Sequence, residues 1–91
     1  EEMMSFLTKA RFVSRNLARY MPRYRAETQF STAVRKERFH SQSLYCYYFK
    51  GHWIEFVLQF DHKSRLRRLY LQHKDLREEG VEIPLSESDS N

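Results

Sequence analysis

The sequence predicts a small single-domain α+β protein, in which two amphipathic helices pack against an antiparallel sheet in the approximate order α-β-β-β-α. Apolar residues recur at helical spacing near both ends of the chain, and two strand-like runs flank a glycine between residues 44 and 60. The apolar fraction of 41% in 91 residues is high enough for a packed core. We expect the domain to span residues 1–85 and residues 86–91 to form a flexible acidic tail.

The first helix is predicted over residues 3–21, where apolar residues recur at steps of three and four and so share one helical face. Pro22 is expected to end this helix, because proline lacks an amide proton and restricts the residue before it. Residues 3–26 carry six basic residues and no acid, a pattern that also occurs in transit peptides, but a core-packed helix is the interpretation we favour. The apolar face comprises Met3, Phe6, Leu7, Ala10, Val13, Leu17, Ala18 and Met21.

Residues 23–40 fit two patterns. Ala26, Phe30 and Val34 recur at helical spacing, whereas Thr28, Phe30 and Val34 would share one face of a strand. We favour the strand, which would add a third strand to the sheet.

The clearest predicted element is a β-hairpin over residues 44–60, because aromatic and β-branched residues flank the dipeptide Lys50-Gly51. A two-residue loop would pair Phe49 with His52 and turn Tyr45 and Tyr47 towards the core. A three-residue turn with a glycine bulge would pair Tyr48 with His52. We favour the second register, since only Gly51 then needs a positive φ. It leaves Tyr45, Tyr47 and Trp53 together on the face away from the core.

The second helix is predicted from the capping residues 61–64 to Gly80, with Leu66, Leu69 and His73 on its apolar face. A strand over residues 65–73 is disfavoured because strict alternation would put Arg67 on the same face as two leucines. Residues 81–85 alternate like a strand, and Pro84 restricts them to a sheet edge.

Charge gives the strongest functional indication. Fifteen of the sixteen Lys and Arg residues lie between residues 3 and 74 together with only four acids, so this stretch carries about +11, although the whole chain carries +4. A nucleic-acid surface is predicted from the basic residues around the start of the second helix and the adjoining loops, where amides of the helix N-terminus would add positive potential. These residues are Arg35, Lys36, Arg38, Lys50, Lys63, Arg65, Arg67 and Arg68.

The aromatic face predicted by the favoured hairpin register provides a second part of this site. Tyr45, Tyr47 and Trp53 could stack unpaired bases at about 1 to 3 kcal/mol each. An alternative function uses the same residues: a homodimeric protein-interaction module that docks an acidic partner through the aromatic face and the basic surface.

Other functions have little support in the sequence. The four histidines are scattered, Cys46 has no partner cysteine, and no metal-ligand or phosphate-loop motif occurs. We therefore expect a protein that is not an enzyme, needs no metal or other cofactor, and acts as a regulator or accessory factor. The lone cysteine fits the cytoplasm, and the longest apolar run, residues 44–49, is too short to span a bilayer.

Overall fold

The computed structural model describes residues 15–49, 51–73 and 80–87. Within these residues the chain forms one antiparallel sheet of five strands in the order β1-β2-β3-β4-β5 and one short helix. The predicted layout of two amphipathic helices on a hairpin is therefore wrong. The elements are α1 (Arg23–Thr28), β1 (Arg35–Arg38), β2 (Gln42–Phe49), β3 (His52–Phe60), β4 (Leu66–His73) and β5 (Val81–Glu82).

The predicted first helix is not formed in its described part. Residues 3–14 lie outside the described residues, and residues 15–21 form turns. Tyr20 has a left-handed φ of 72°, and its amide donates to the Leu66 carbonyl over 2.7 Å. Pairing with a distant strand has thus replaced helical hydrogen bonds and overridden the helical spacing. The apolar residues of this segment still enter the core, namely Leu17 and Met21.

The ambiguous stretch from residue 23 to residue 40 contains both structures. Helix α1 begins after Pro22, whose fixed φ suits a helix start, and β1 follows after a series of turns. The favoured interpretation as a strand is therefore correct only for Arg35–Arg38.

The predicted hairpin is confirmed, but its favoured register is wrong. Phe49 pairs with His52 across a two-residue loop, and Gly51 has a φ of +83°. This register places Tyr45 opposite Phe56 and Tyr47 opposite Ile54, on the face that carries the core. The ladder pairs eight positions without a bulge. This register buries Tyr45 and Phe56 on the core face, which favours it over the bulged alternative.

The predicted second helix is also wrong over its described part, because residues 66–73 form β4 and residues 74–79 lie outside the described residues. Strict alternation of side chains disfavours a strand here, but a β-bulge interrupts the alternation. Gln59 pairs with Arg68 and Phe60 pairs with Leu66, so Arg67 is an extra residue on β4. Leucines on both sides of the bulge can then face the core.

The core lies on one face of the sheet and is covered by α1, the turns around it and the segment after β5. Phe30 is fully buried, and its ring stacks on that of Tyr45 at a centroid distance of 4.8 Å. It also meets Phe56 at 5.1 Å. Burial of such side chains contributes about 1.5 to 3 kcal/mol each. The remaining core residues are Leu17, Met21, Ala26, Ile54, Leu58, Phe60, Leu66, Leu69, Leu71 and Ile83.

The sheet has two short edges. β1 carries Arg35, Lys36 and Arg38 at one edge, and β5 pairs with β4 at the other, as the position of Pro84 predicted. None of the helical segments described here is long and apolar enough to cross a membrane.

Candidate nucleic-acid interface

Most of the predicted basic residues gather at one end of the sheet, although not on a helix. The turn between β1 and β2 and the turn between β3 and β4 lie side by side there, because Gln42 pairs with Gln59 and the Phe60 amide donates to the Ser41 carbonyl. We call this the turn end; the opposite end, with the loop at residues 50–51, is the hairpin end.

The residues predicted at a helix start in fact lie on a turn and a strand. Lys63 and Arg65 belong to the turn between β3 and β4, and Arg67 and Arg68 belong to the first part of β4. A helix N-terminus therefore adds no positive potential at this place. Lys50 lies outside the described residues.

The centre of the turn end is an arginine–tyrosine cluster, formed by Tyr20, Asp61, Arg65 and Arg67. The Arg67 guanidinium lies 4.8 Å from the centroid of the Tyr20 ring, and that of Arg65 lies 5.5 Å from it. Both contacts are within the range of cation–π attraction. The two arginine side chains remain 42% and 47% exposed, so their planar donors can reach a ligand.

A single carboxylate holds both arginines. Asp61 Oδ2 lies 3.4 Å from Arg65 Nε and 3.5 Å from Arg67 Nη1. Asp61 Oδ2 and Arg65 Nε are buried, and within the described part of the chain neither makes a hydrogen bond. The ion pair therefore orients both guanidinium groups, and the exposed part of each side chain, though not the buried Arg65 Nε, can reach another anion.

The same aspartate fixes the turn that carries these arginines. Its Oδ1 accepts hydrogen bonds from the backbone amides of Lys63 and Arg65 at 2.9 and 3.0 Å. Ser64 has a left-handed φ of 58°, which the turn requires. Burial disfavours the charged form of Asp61, but these amide donors and the positive charge of Arg65 outweigh it and hold the pKa of Asp61 below its ordinary value.

Residues 61–68 contain four basic residues and one acid, a net charge of +3. Lys63 and Arg68 are exposed, and neither pairs with a carboxylate of the described residues. Arg68 points to the other face of the sheet, where it donates to the Tyr70 hydroxyl over 3.1 Å and this contact raises its pKa. The positive charge thus extends around both faces at the start of β4.

A second network at the turn end is built on Arg23. This residue is only 7% exposed, and its guanidinium lies 4.6 Å from the centroid of the Phe60 ring. It also closes the turn between β1 and β2, where its Nη atoms donate to the carbonyl oxygens of Phe39, His40 and Gln42 and to Ser43 Oγ at 2.7, 2.7, 3.3 and 3.1 Å.

Glu27 completes this network. Its Oε2 accepts hydrogen bonds from Ser43 Oγ at 2.6 Å, from Arg23 Nε at 3.0 Å and from Arg38 Nε at 3.1 Å. Burial opposes its ionisation, but the three donors outweigh burial and lower the pKa of Glu27. Arg38 remains 67% exposed, so it adds an oriented guanidinium to the turn end.

The two networks are joined through the backbone. The Arg23 amide donates to the Ser64 carbonyl over 2.8 Å, and Pro22 forms an antiparallel bridge with Arg65. The turn end is therefore one connected structure, in which the start of α1 holds both turns.

The remaining predicted site residues lie elsewhere. Arg35 pairs with Cys46 in the sheet and its side chain lies 3.5 Å from Glu37; Lys36 is exposed on the edge strand β1. Both are displaced from the arginine–tyrosine cluster by the width of the intervening strands.

The hairpin register separates the three predicted stacking residues. Tyr45 is 6% exposed, and its burial raises its pKa. Tyr47 is half-buried against Phe56. Trp53 lies on the opposite face and is 41% exposed, where it meets Tyr48 edge to face at 5.0 Å. The structure thus brings Trp53 together with Tyr48 rather than with the other two residues.

Sequence reasoning missed Tyr20, Asp61, Arg23 and Glu27 as parts of the site. The sequence pattern places Asp61 at a helix cap. A cap and the observed turn use the same chemistry, because in both the carboxylate accepts hydrogen bonds from backbone amides. No local pattern distinguishes Tyr20 or Arg23, because both act on residues more than fifteen positions away.

Comparisons of the chain with protein-family models, with curated proteins and with solved structures found no match. Among the residues that the structure describes, no three His, Cys, Asp or Glu side chains come together as metal ligands.

Proposed function

We propose that this protein binds nucleic acid, without catalysing a reaction on it, through the arginine–tyrosine cluster and the basic residues beside it. The observation that carries the proposal is the sharing of one carboxylate by two half-exposed arginines, because residues 61–68 then keep a net charge of +3 at one place. A polyanion is the ligand that such a surface attracts.

Arginine chemistry favours phosphate as the group contacted. A guanidinium can donate to two phosphate oxygens at once, and ion pairs of this kind are short and strong. Arg65 and Arg67 are already held by Asp61 and Tyr20, so ordering them on a ligand costs less conformational entropy. Arg38, Lys63 and Arg68 extend the surface along the turn end and supply further phosphate contacts.

The structure favours contact with the backbone of a duplex over stacking of unpaired bases. Tyr45 is buried, and the exposed pair of Tyr48 and Trp53 is on β2 and β3 next to the hairpin end. Tyr48 and Trp53 therefore do not adjoin the arginine–tyrosine cluster. Binding through phosphates alone is independent of sequence and strongly dependent on salt.

The test measures binding of a fluorescent 30-base-pair duplex by anisotropy between 50 and 200 mM salt. If about six phosphates are engaged, affinity should fall by about 10³ across this range. The double variant Arg67→Ala, Arg68→Ala should bind more weakly and should reduce the slope of log K against log salt by about 1.8.

The matched control is Arg35→Ala, Lys36→Ala, which removes the same charge from β1 and should change the slope much less. Equal slopes for both double variants would show that diffuse charge, rather than the turn end, is responsible. Unchanged binding in the Arg67, Arg68 variant would refute the proposed site.

The alternative function is a homodimeric protein-interaction module that binds an acidic partner, and a different observation supports it. Tyr48 and Trp53 are 58% and 41% exposed, and aromatic side chains in contact at a surface are common in protein interfaces. This alternative predicts that Trp53→Ala abolishes binding of an acidic protein or self-association measured by sedimentation. Nucleic-acid binding through the turn end predicts that the same variant leaves duplex affinity unchanged, whereas single-strand affinity falls if bases stack on Trp53.

A further inference from the structure

Two histidines meet near the hairpin end of the sheet, at the opposite end of the strands from the basic residues of the turn end. His52 is the first residue of β3 and His73 is the last residue of β4. Because Ile54 pairs directly with His73, His52 is diagonal to His73 on the same sheet face. The ring centroids are 4.8 Å apart, the planes are inclined by 51°, and both side chains are half-buried.

This spacing fits coordination of one ion by both rings. A metal bound about 2.1 Å from an imidazole nitrogen lies about 3.2 Å from the centre of that ring. Two ring centres 4.8 Å apart then subtend about 100° at the ion, which is between the roughly 90° of square-planar and 109° of tetrahedral coordination. Inclined planes can converge on a common point between the rings, whereas parallel stacked rings direct their nitrogen lone pairs away from each other.

We propose that His52 and His73 form a two-histidine site for a divalent transition-metal ion, with copper(II) bound more tightly than nickel(II) or zinc(II). Imidazole nitrogen is a good ligand for all three ions, and copper leads the order of affinity for nitrogen donors. Among the described residues no third His, Cys, Asp or Glu joins the pair, so the two imidazole rings are the ligands proposed. The site is independent of the proposed nucleic-acid interface.

Binding at this place would link two adjacent strands. The ion would hold the start of β3 to the end of β4 and would stabilise the folded protein in proportion to metal concentration.

The experiment titrates the full chain at pH 7.4 with copper(II) chloride and follows the fluorescence of Trp53, the one tryptophan of the sequence and the neighbour of His52. Zinc chloride, which is redox-inert, serves as a second probe by calorimetry. Each of His52→Gln and His73→Gln should weaken binding by about 10², because a chelate becomes a single-ligand site. The control His40→Gln, His62→Gln removes the two other histidines and should leave affinity unchanged.

Electron paramagnetic resonance of the unaltered protein with one equivalent of copper(II) provides a measurement that needs no variant. Hyperfine coupling to two imidazole nitrogens is expected. Coupling to one nitrogen or none would overturn the proposal, as would affinity that survives in both single variants or disappears in the control variant.

Discussion

The two ends of the sheet are held together by different kinds of interaction. At the turn end, Glu27 and Asp61 each bind two arginines, and Arg23 fills the space between a helix and a turn. At the hairpin end, two ring contacts stand out, Tyr48 with Trp53 and His52 with His73. The turn end should therefore respond to acid and to loss of single charges, and the hairpin end to changes in backbone geometry and metal.

Charged side chains also differ in how far the chain itself satisfies them. Arg23 is buried and its donors are satisfied by the chain itself, whereas Arg65 and Arg67 are half-exposed and lie 3.4 and 3.5 Å from one carboxylate oxygen. Arg23 therefore stabilises the fold, and the other two arginines are the ones assigned to ligand binding in the proposed function.

The largest effect is expected at Arg23. Arg23→Ala removes donors to three carbonyl oxygens and leaves Glu27 without its buried partner. The free energy of unfolding should fall by about 3 to 5 kcal/mol. Urea denaturation measures this loss. Lys36→Ala, which removes an exposed charge from β1, should change stability by no more than about 0.5 kcal/mol; similar losses in both variants would contradict the assigned role of Arg23.

Acid should weaken the turn end through Glu27. Its folded pKa lies below the ordinary value of 4.5, so its stabilising contribution is complete above that value and is lost as the pH falls through the folded pKa. Glu27→Gln should cost about 1.5 to 3 kcal/mol at neutral pH and flatten the acid part of the stability profile. Denaturation at a series of pH values tests this. Glu37→Gln, a change at an exposed carboxylate, should leave the profile almost unchanged.

The hairpin end should be sensitive to backbone conformation. Gly51→Ala should cost about 1 to 2 kcal/mol because the residue has a φ of +83°, even though the added methyl group would meet no atom within 4 Å. Ser64 adopts the same kind of conformation at the turn end with a side chain present. Ser64→Gly should therefore have the opposite sign and stabilise by about 0.5 kcal/mol. Thermal unfolding of the two variants compares them; destabilisation by both would contradict the assignment of backbone strain.

A small effect is also expected from the exposed aromatic pair. A double-mutant cycle with Tyr48→Ala and Trp53→Ala should give a coupling of about 0.5 to 1.5 kcal/mol, which is typical of an edge-to-face contact. Chemical denaturation of the four proteins of the cycle provides the value. A coupling near zero would show that contact between the two rings does not stabilise the hairpin. Binding of a partner would then be the better explanation for their exposure.

Local sequence patterns were sufficient for part of the fold. The hairpin at 44–60 was predictable because β-branched and aromatic residues flank a glycine. Its register was not, since both turns were sterically reasonable and the choice depends on Phe30, which stacks on Tyr45 from a distant segment. Strand β4 was missed for a related reason: the extra residue Arg67 disrupts the alternation that identifies a strand.

The candidate site was predictable only where its residues are neighbours in sequence. Lys63, Arg65 and Arg67 lie on one turn and the strand that follows, so their clustering holds whether that segment is helical or extended. The contribution of Tyr20 could not be foreseen, because it depends on the pairing of its backbone with Leu66.

The edge strand β1 has a consequence for how copies of this protein behave in solution. Three of its four residues are basic and one is acidic, so two such edges brought together would carry a charge of +4 over eight residues. This repulsion opposes growth of the sheet from one molecule to the next. Salt screens it, with a Debye length that shrinks to about 3 Å at 1 M. Concentrated salt should therefore promote aggregation of the free protein while it releases bound polyanions.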